Sequence, residues 1–427
     1  MATSLLPETE RWSQLPELVR HEIDAYETEL RRLQQGLVPE KVFLELRLRY
    51  GVYGQRQAGV QMQRIKIPLG ILNTVQMERL ADLAEEYADG VLHVTTRQDI
   101  QLHEVKIEDT APVMRELFAA GLTSKGGGGN TVRNITACPY AGICPAERFD
   151  VTPFVVAVTE HLIALPGSYN LPRKYKIAFS GCSADCALGR VNDLGFIAQV
   201  RNGEPGFAVY AGGGMGAESR VGDQMAEWVS GREVIRIAEG VRRLFDRVGD
   251  RRNRRRARLR FAAERVGAET FRGMFAEAVN GATADGVPAC GILPPVAAVA
   301  VPPPADYRQL LTEKSGLPLL SQRQPGYVAV PIRPPLGQVS WQHLEALAAM
   351  AERFSTEKAL RATQDQGLLL PFVRDSDLPA LREELASVVG AGTVGPTPLN
   401  AFTACTGAAT CRLGLCLAQP AARACAD

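Results

Sequence analysis

Gln55-Arg56-Gln57 opens a stretch that runs through Val60-Gln61-Met62-Gln63-Arg64-Ile65-Lys66-Ile67 and closes at Pro68-Leu69-Gly70. The opening and closing triplets return as Gln322-Arg323-Gln324 and Pro335-Leu336-Gly337, an offset of 267 residues (55 to 322). At the same offset Leu80-Ala81 meets Leu347-Ala348, Ala84-Glu85 meets Ala351-Glu352, and Thr96 meets Thr363. Thr136-Ala137-Cys138 then meets Thr403-Ala404-Cys405, and Cys144 meets Cys411. One gapless offset over roughly 90 residues marks a duplicated structural half. Within each copy, Val60–Ile67 alternates like a half-buried strand and Pro68-Leu69-Gly70 ends it. Met77, Leu80, Ala81, Leu83 and Ala84 form the stripe of an amphipathic helix over Gln76–Tyr87. Val91–Thr95 and Ile100–Val105 read as further strand. The fold class is therefore α+β, with helices against mixed or antiparallel sheets, used twice.

Working outward, residues 1–54 read as an N-terminal helical segment and 55–130 as the first half domain. Residues 131–287 form a cysteine-bearing domain in which Val234–Val266 is helical and basic. Residues 288–320 read as a proline-rich linker, 321–395 as the second half domain, and 396–427 as the start of a second, incomplete cysteine-bearing domain. The chain has 427 residues, 46% apolar and 22% charged, which excludes wholesale disorder. Its 48 basic and 47 acidic side chains leave a formal charge of +1, so any anion must be bound by a local cluster. No apolar run reaches 18 residues; the candidates Val151–Leu165 and Pro294–Pro304 are interrupted by Glu160 and His161 or by prolines. Met1–Arg11 has no apolar signal core, and a cytoplasmic protein without membrane partners is the expectation.

The nine cysteines are too few, odd in number and bunched, unlike a secreted disulfide framework. Cys138-x5-Cys144 and Cys182-x3-Cys186 lie among Pro139, Gly142, Pro145 and Gly181, which places the thiols on turns. Four thiolates from two separated pairs can hold one [4Fe–4S] cube. Zinc ribbons use tighter spacings, and four buried free cysteines are the plainer alternative. The five histidines show no paired metal spacing.

Thr95-Thr96-Arg97-Gln98-Asp99-Ile100-Gln101, Val132-Arg133-Asn134, Leu171-Pro172-Arg173-Lys174-Tyr175-Lys176 and the two cysteine pairs resemble the sirohaem-dependent nitrite and sulfite reductases. The resemblance runs from about Gln55 to Gly216 and resumes in the repeat. It implies two fused ferredoxin-like half domains and a sirohaem/[4Fe–4S] domain of α/β type. It also implies six-electron reduction of sulfite or nitrite, with electrons from a donor such as ferredoxin or a reductase subunit. By the same pattern Cys138, Cys144, Cys182 and Cys186 would hold the cluster, Cys186 bridging to the haem iron. Arg97, Arg133, Lys174 and Lys176 would bind the anion. Gln98, Gln101, Asn134, Gly213 and Gly214 would line the macrocycle. Charge chemistry gives these cations independent sense: only eight lysines occur, and Lys174 and Lys176 share a strand face, tolerable when an anion sits between them.

The match has a gap. Cys405-x5-Cys411 is the second repeat's candidate pair, but its C-x3-C partner is due near 449 and 453, beyond residue 427. Either the chain is the front part of a longer enzyme, or the first quartet holds the cluster and faces the second half, where Gln364 stands for Arg97 with Arg361 nearby. A precorrin-3B synthase-like corrin enzyme and a non-catalytic cluster-binding half are the competing readings. Gly126–Gly129 and Gly212–Gly216 read as macrocycle-lining backbone or plain turns. Arg251–Arg260 reads as a solvated or sirohaem-facing helix that could dock an acidic donor; without interleaved aromatics it does not read as a nucleic-acid site.

Overall fold

The computed structural model describes residues 15–297, 311–314, 316–388 and 402–426. Met1–Arg11, the 298–310 part of the linker, and residues 389–401 between the last two expected segments lie outside them. In chain order the elements begin with α1 (Glu17–Gln34), α2 (Glu40–Arg49), β1 (Val52–Gly54), β2 (Val60–Ile65) and β3 (Ile71–Asn73). Then come α3 (Thr74–Tyr87), β4 (Val91–Val94), β5 (Ile100–Lys106) and α4 (Thr110–Ala119). Next are β6 (Thr136–Ala137), α5 (Thr152–Ile163), β7 (Ile177–Ser180), β8 (Leu194–Arg201), β9 (Glu204–Ala211) and β10 (Asp223–Ser230). They are followed by α6 (Val234–Val248), α7 (Leu259–Val266) and α8 (Ala268–Ala284). The second copy has β11 (Leu311–Lys314), β12 (Leu317–Ser321), β13 (Tyr327–Ile332), β14 (Gln338–Ser340), α9 (Trp341–Phe354), β15 (Ala359–Ala362), β16 (Leu368–Arg374) and α10 (Leu378–Val388). A last helix, α11, spans Ala418–Ala426. Among the described residues no helix is long and apolar enough to cross a membrane.

The chain divides into two units, Met1–Gly128 with Leu310–Asp427, and Gly129–Gln309. In the first, both half domains are antiparallel throughout, and each lends a strand to the other. Sheet order is β1-β2-β5-β4-β14 in one and β11-β12-β13-β16-β15-β3 in the other. The exchange begins at the repeated Pro-Leu-Gly. Leu69 (φ 63°) and Gly70 (φ 78°), like Leu336 (φ 55°) and Gly337 (φ 72°), are both left-handed, which sends the chain across to the other sheet. A Cβ on Gly70 would lie 2.6 Å from the Ala362 carbonyl oxygen, and one on Gly337 2.7 Å from that of Val94, so glycine is required at both. The exchanged strands lead into helices capped by Asn73 and Ser340. Those helices, α3 and α9, pack together over one core containing Leu80, Leu83, Leu347 and Ala351. The repeated Gln-x-Gln is a clasp: Gln55 Oε1 accepts from Glu104 N–H (2.9 Å) and Gln322 Oε1 from Phe372 N–H (2.6 Å).

Three expectations need correction. The connection α9–β15 (355–358) is one residue longer than α3–β4 (88–90), so the offset is 268 from β15 through α10. Thr95 N–H bonds Asp99 O and Thr363 N–H bonds Gly367 O, while Gln98 (φ 56°) and Gln366 (φ 65°) occupy equivalent left-handed positions. Thr363 therefore matches Thr95, not Thr96, and Arg97 matches Asp365, not Gln364. Second, the expected linker ends in paired strands, β11 and β12, and β1 precedes residue 55. Third, the expected 234–266 helix is broken by an irregular loop over 249–258, so most of the arginine run is not helical.

The second unit holds a mixed sheet, β10-β9-β8-β7-β6, parallel across β6, β7 and β8 and antiparallel beyond. Phe179 and Phe196 stack at 4.4 Å, with Phe207 edge-on to both at 5.6 Å, a rigid aromatic floor under the central strands.

Candidate active site

Two neighbouring strands build the site in the second unit. Arg133 N–H bonds Tyr175 O (2.9 Å), β6 pairs with β7 in parallel, and Cys138 N–H bonds Phe179 O (3.0 Å). Residues 131–138 thus run beside 174–182. Cations (Arg133, Lys174, Lys176) sit at one end and thiols (Cys138, Cys182) at the other. Between the two lies β7, whose four residues span about 13 Å. Tyr175, fully buried, turns the other way and donates to Ala238 O (3.2 Å), leaving Lys174 and Lys176 on the opposite face.

The four thiols converge. Cys138, Cys144 and Cys182 are buried and Cys186 half-buried, and Cys138 is within hydrogen-bond contact of Cys186. That contact, burial, and the charges of Cys186 and Cys144 hold Cys138 well above the usual thiol range. Burial first, with Glu147, Cys182 and Cys186 nearby, pushes Cys144 up to about 12. Burial, Cys186 and Glu147 push Cys182 up to about 11. Four mutually repelling thiolates, three of them buried, are unfavourable unless a strongly cationic body neutralises them, and a bound metal group inverts this local logic. Among the described residues no three His, Cys, Asp or Glu side chains are grouped for a single ion. In a [4Fe–4S] cube each thiolate takes its own iron, so the donor set fits the cube rather than zinc. The Cys182–Cys186 loop is clasped by Asp185, which accepts from Ser180 Oγ (2.6 Å), Gly189 N–H (2.7 Å) and Arg190 N–H (3.1 Å).

At the other end the charge is positive. Burial, then Arg258, Arg133 and Arg173, lower Lys174 to about 7. Arg258 donates to both carboxylate oxygens of buried Asp193 (3.1 and 2.8 Å), and Asp193 also accepts from Lys176 N–H (2.9 Å). Arg260 lies along the glycine loop, donating to Met215 O (3.0 Å), with its Nη1 2.8 Å from where a Gly214 Cβ would be. This cluster fits a carboxylate-rich macrocycle. Gly213 is needed for another reason: a Cβ there would lie 2.5 Å from the Arg190 carbonyl oxygen. Asn134 is buried beside the strand pair. Arg258 and Arg260 belong to the arginine run already read as solvated or sirohaem-facing; Asp185 and Asp193 escaped the motif reading, and the signal available for the first was the acid inside C-x3-C.

Arg97, Gln98 and Gln101 belong to the first unit. Arg97 is partly exposed on a turn whose N–H groups are held by Thr95 Oγ1. The Gln98 amide nitrogen donates to Leu69 O (3.0 Å) and Ala362 O (2.9 Å), bracing the strand exchange. The Gln101 side-chain amide lies against the Arg64 guanidinium. Lys66, buried nearby in the chain and passed over in the motif reading, is the counterpart of Arg333. Cys405 and Cys411 are exposed, as are Cys416 and Cys425.

Residues 128–281 match the model of the nitrite and sulphite reductase 4Fe-4S domain, and 53–120 and 320–388 that of the nitrite/sulfite reductase ferredoxin-like half domain. The chain is 32% identical to the ferredoxin–nitrite reductase of Synechococcus elongatus, over 83% of this chain and 67% of that one. It is 30% identical to the chloroplastic ferredoxin–nitrite reductase of Zea mays, covering 89% and 66%. The solved Mycobacterium tuberculosis NirA protein superposes with a TM-score of 0.74 at 25% identity, over 88% of this chain and 68% of that one. The chain thus spans about two thirds of the length of these relatives. With two ferredoxin-like halves and a 4Fe-4S domain between them in sequence, it belongs to the nitrite and sulphite reductases, a family of oxidoreductases that use sirohaem and a [4Fe–4S] cluster.

Proposed function

We propose that this protein reduces nitrite to ammonia with electrons from ferredoxin, with Cys138, Cys144, Cys182 and Cys186 holding the cluster and Cys186 the link to sirohaem. The observation that carries this reading is the strand pair that sets a largely buried thiol quartet at one end and a cation cluster at the other. The relatives' names point to nitrite and ferredoxin within a family that also includes sulfite reductases. When bound, the cluster and macrocycle supply the electrons one at a time. The chain's own residues do the rest. Arg133, Lys174 and Lys176 attract and orient the anion, and Arg258 and Arg260 face the macrocycle's carboxylates. Lys174, poised near neutrality, holds and releases a proton at Nζ, as a reaction that consumes seven protons with its six electrons to reach ammonia, and an eighth to reach ammonium, requires.

Anaerobically reconstituted protein should show haem and cluster absorbance and form ammonia from nitrite with reduced ferredoxin. Faster turnover of sulfite would reassign the substrate. Cluster absorbance without haem under the same loading would overturn the reductase reading.

A further inference from the structure

The loop between α6 and α7 is the most concentrated charge on the chain. Five of the six residues Arg251-Arg252-Asn253-Arg254-Arg255-Arg256 are arginine, all six are exposed, and the whole protein carries only +1. The loop is held in shape rather than left slack. Asp250 Oδ1 accepts from the N–H groups of Arg252 (2.9 Å) and Asn253 (3.0 Å), Asn253 Oδ1 from Arg255 N–H (3.1 Å), and Asn253 O from Arg256 N–H (2.9 Å). Arg251 is tied to Asp246 and to Asn170 O, and Arg256 to Glu218 and Glu264. Arg252, Arg254 and Arg255 form no ion pair among the described residues. Three solvated guanidinium groups are thus presented on a fixed backbone, a geometry suited to carboxylates, which guanidinium binds bidentately. No aromatic side chain interleaves with them, so there is no stacking platform for bases. Just after the loop, Arg258 and Arg260 enter the cation cluster around Lys174 and Gly214, in the unit that holds the thiol quartet.

We propose that this loop docks an acidic one-electron carrier protein of the ferredoxin class through Arg252, Arg254 and Arg255. The proposal rests on the reductase reading, because six electrons delivered singly call for repeated visits by an external carrier. Repeated visits favour a fast, salt-screened electrostatic encounter over a tight apolar interface.

The test uses the reconstituted full chain and the triple charge reversal R252E/R254E/R255E, with R252K/R254K/R255K as the charge-conserving control. Binding of a plant-type [2Fe–2S] ferredoxin is measured by calorimetry at low and high ionic strength. Nitrite reduction is measured with that ferredoxin and with reduced methyl viologen, a small donor that needs no docking surface. The reversal should weaken ferredoxin binding about tenfold or more at low salt and flatten its salt dependence. The control should keep both, and the viologen rate should be unchanged in every variant. Unaltered ferredoxin affinity in the reversal overturns the proposal, as does a wild-type protein that binds a single-stranded oligonucleotide through this loop and ferredoxin without it. If no variant reduces nitrite with viologen, the reductase reading fails, while the calorimetry still decides the docking surface.

Discussion

Lys174 gives the sharpest quantitative test. Burial and the neighbouring Arg258, Arg133 and Arg173 lower it from 10.5 to about 7, so above that pH the folded protein holds it neutral. An anion that needs the ammonium form must then be bound together with a proton. Below the break, affinity should be flat; above it, affinity should fall about tenfold for each pH unit, about 1.4 kcal/mol per unit. Two units above the break the loss is therefore about a hundredfold. Bound carboxylates of the macrocycle would move the break upward without altering its slope. The assay is KM for nitrite with reduced methyl viologen as donor, from pH 6 to 10, for the wild type and Lys174→Met. The variant should bind weakly at neutral pH and lose the slope. The cofactor-free protein provides a second readout. The folded-state value lies below the unfolded one, so the unfolded chain carries the extra proton between about 7 and 10.5, and stability should rise with pH across that window. A wild-type KM without any break in the range, or a break that survives in Lys174→Met, would refute the argument.

Other consequences follow from single contacts. Cys182→Ser should abolish cluster absorbance and lower bound iron and labile sulfide, whereas Cys416→Ser, at an exposed thiol, should leave both intact. Arg258→Ala leaves the buried Asp193 carboxylate without its guanidinium and should destabilise the protein by about 3–5 kcal/mol in denaturant unfolding, while Asp193→Asn in the same background should recover part of the loss. Gly70→Ala and Gly337→Ala each force a Cβ onto a carbonyl oxygen at positive φ. Each should cost on the order of 3 kcal/mol, and a large asymmetry between them would contradict the reciprocal strand exchange. His93 and His103, held near 4 mainly by burial, stay neutral in the folded state while the unfolded chain protonates. Stability should therefore fall as pH drops from about 6.5 towards 4, and His93→Gln with His103→Gln should flatten that slope.

What the sequence shows and hides has a physical pattern. The duplication was legible because the residues that repeat are those whose geometry admits no substitute: the Pro-Leu-Gly turn, the Gln-x-Gln clasp and the apolar stripes of α3 and α9. The thiol quartet was legible by its spacing and flanking turns. The strand exchange was not, since three-residue strands such as β3 and β14 carry no periodicity of their own. Nor was the register beyond residue 354, where a one-residue insertion in a connecting loop shifts the partners from β15 through α10 and chance identities such as Thr96 with Thr363 hide the slip. Arg258 and Asp193 were hidden because 65 residues separate them in sequence and only the fold of β8 against the loop before α7 brings them together.

Register corrected, the two halves diverge in charge where they agree in shape. Gln98 and Gln366 share a left-handed backbone and the same kind of brace to the opposite half's carbonyl. Yet the residue just before each is Arg97 in one half and Asp365 in the other. In the second half Asp365 pairs with Arg333 (3.0 Å), and buried Arg361 pairs with Glu357, so that half answers its cations with its own acids. In the first half the corresponding turn carries a cation where the acid would be, with Lys66 at the place of Arg333. A duplicated scaffold keeps its turns because backbone geometry penalises change on both copies equally. Charge is not constrained that way, so the same turn carries an arginine in one copy and an aspartate in the other.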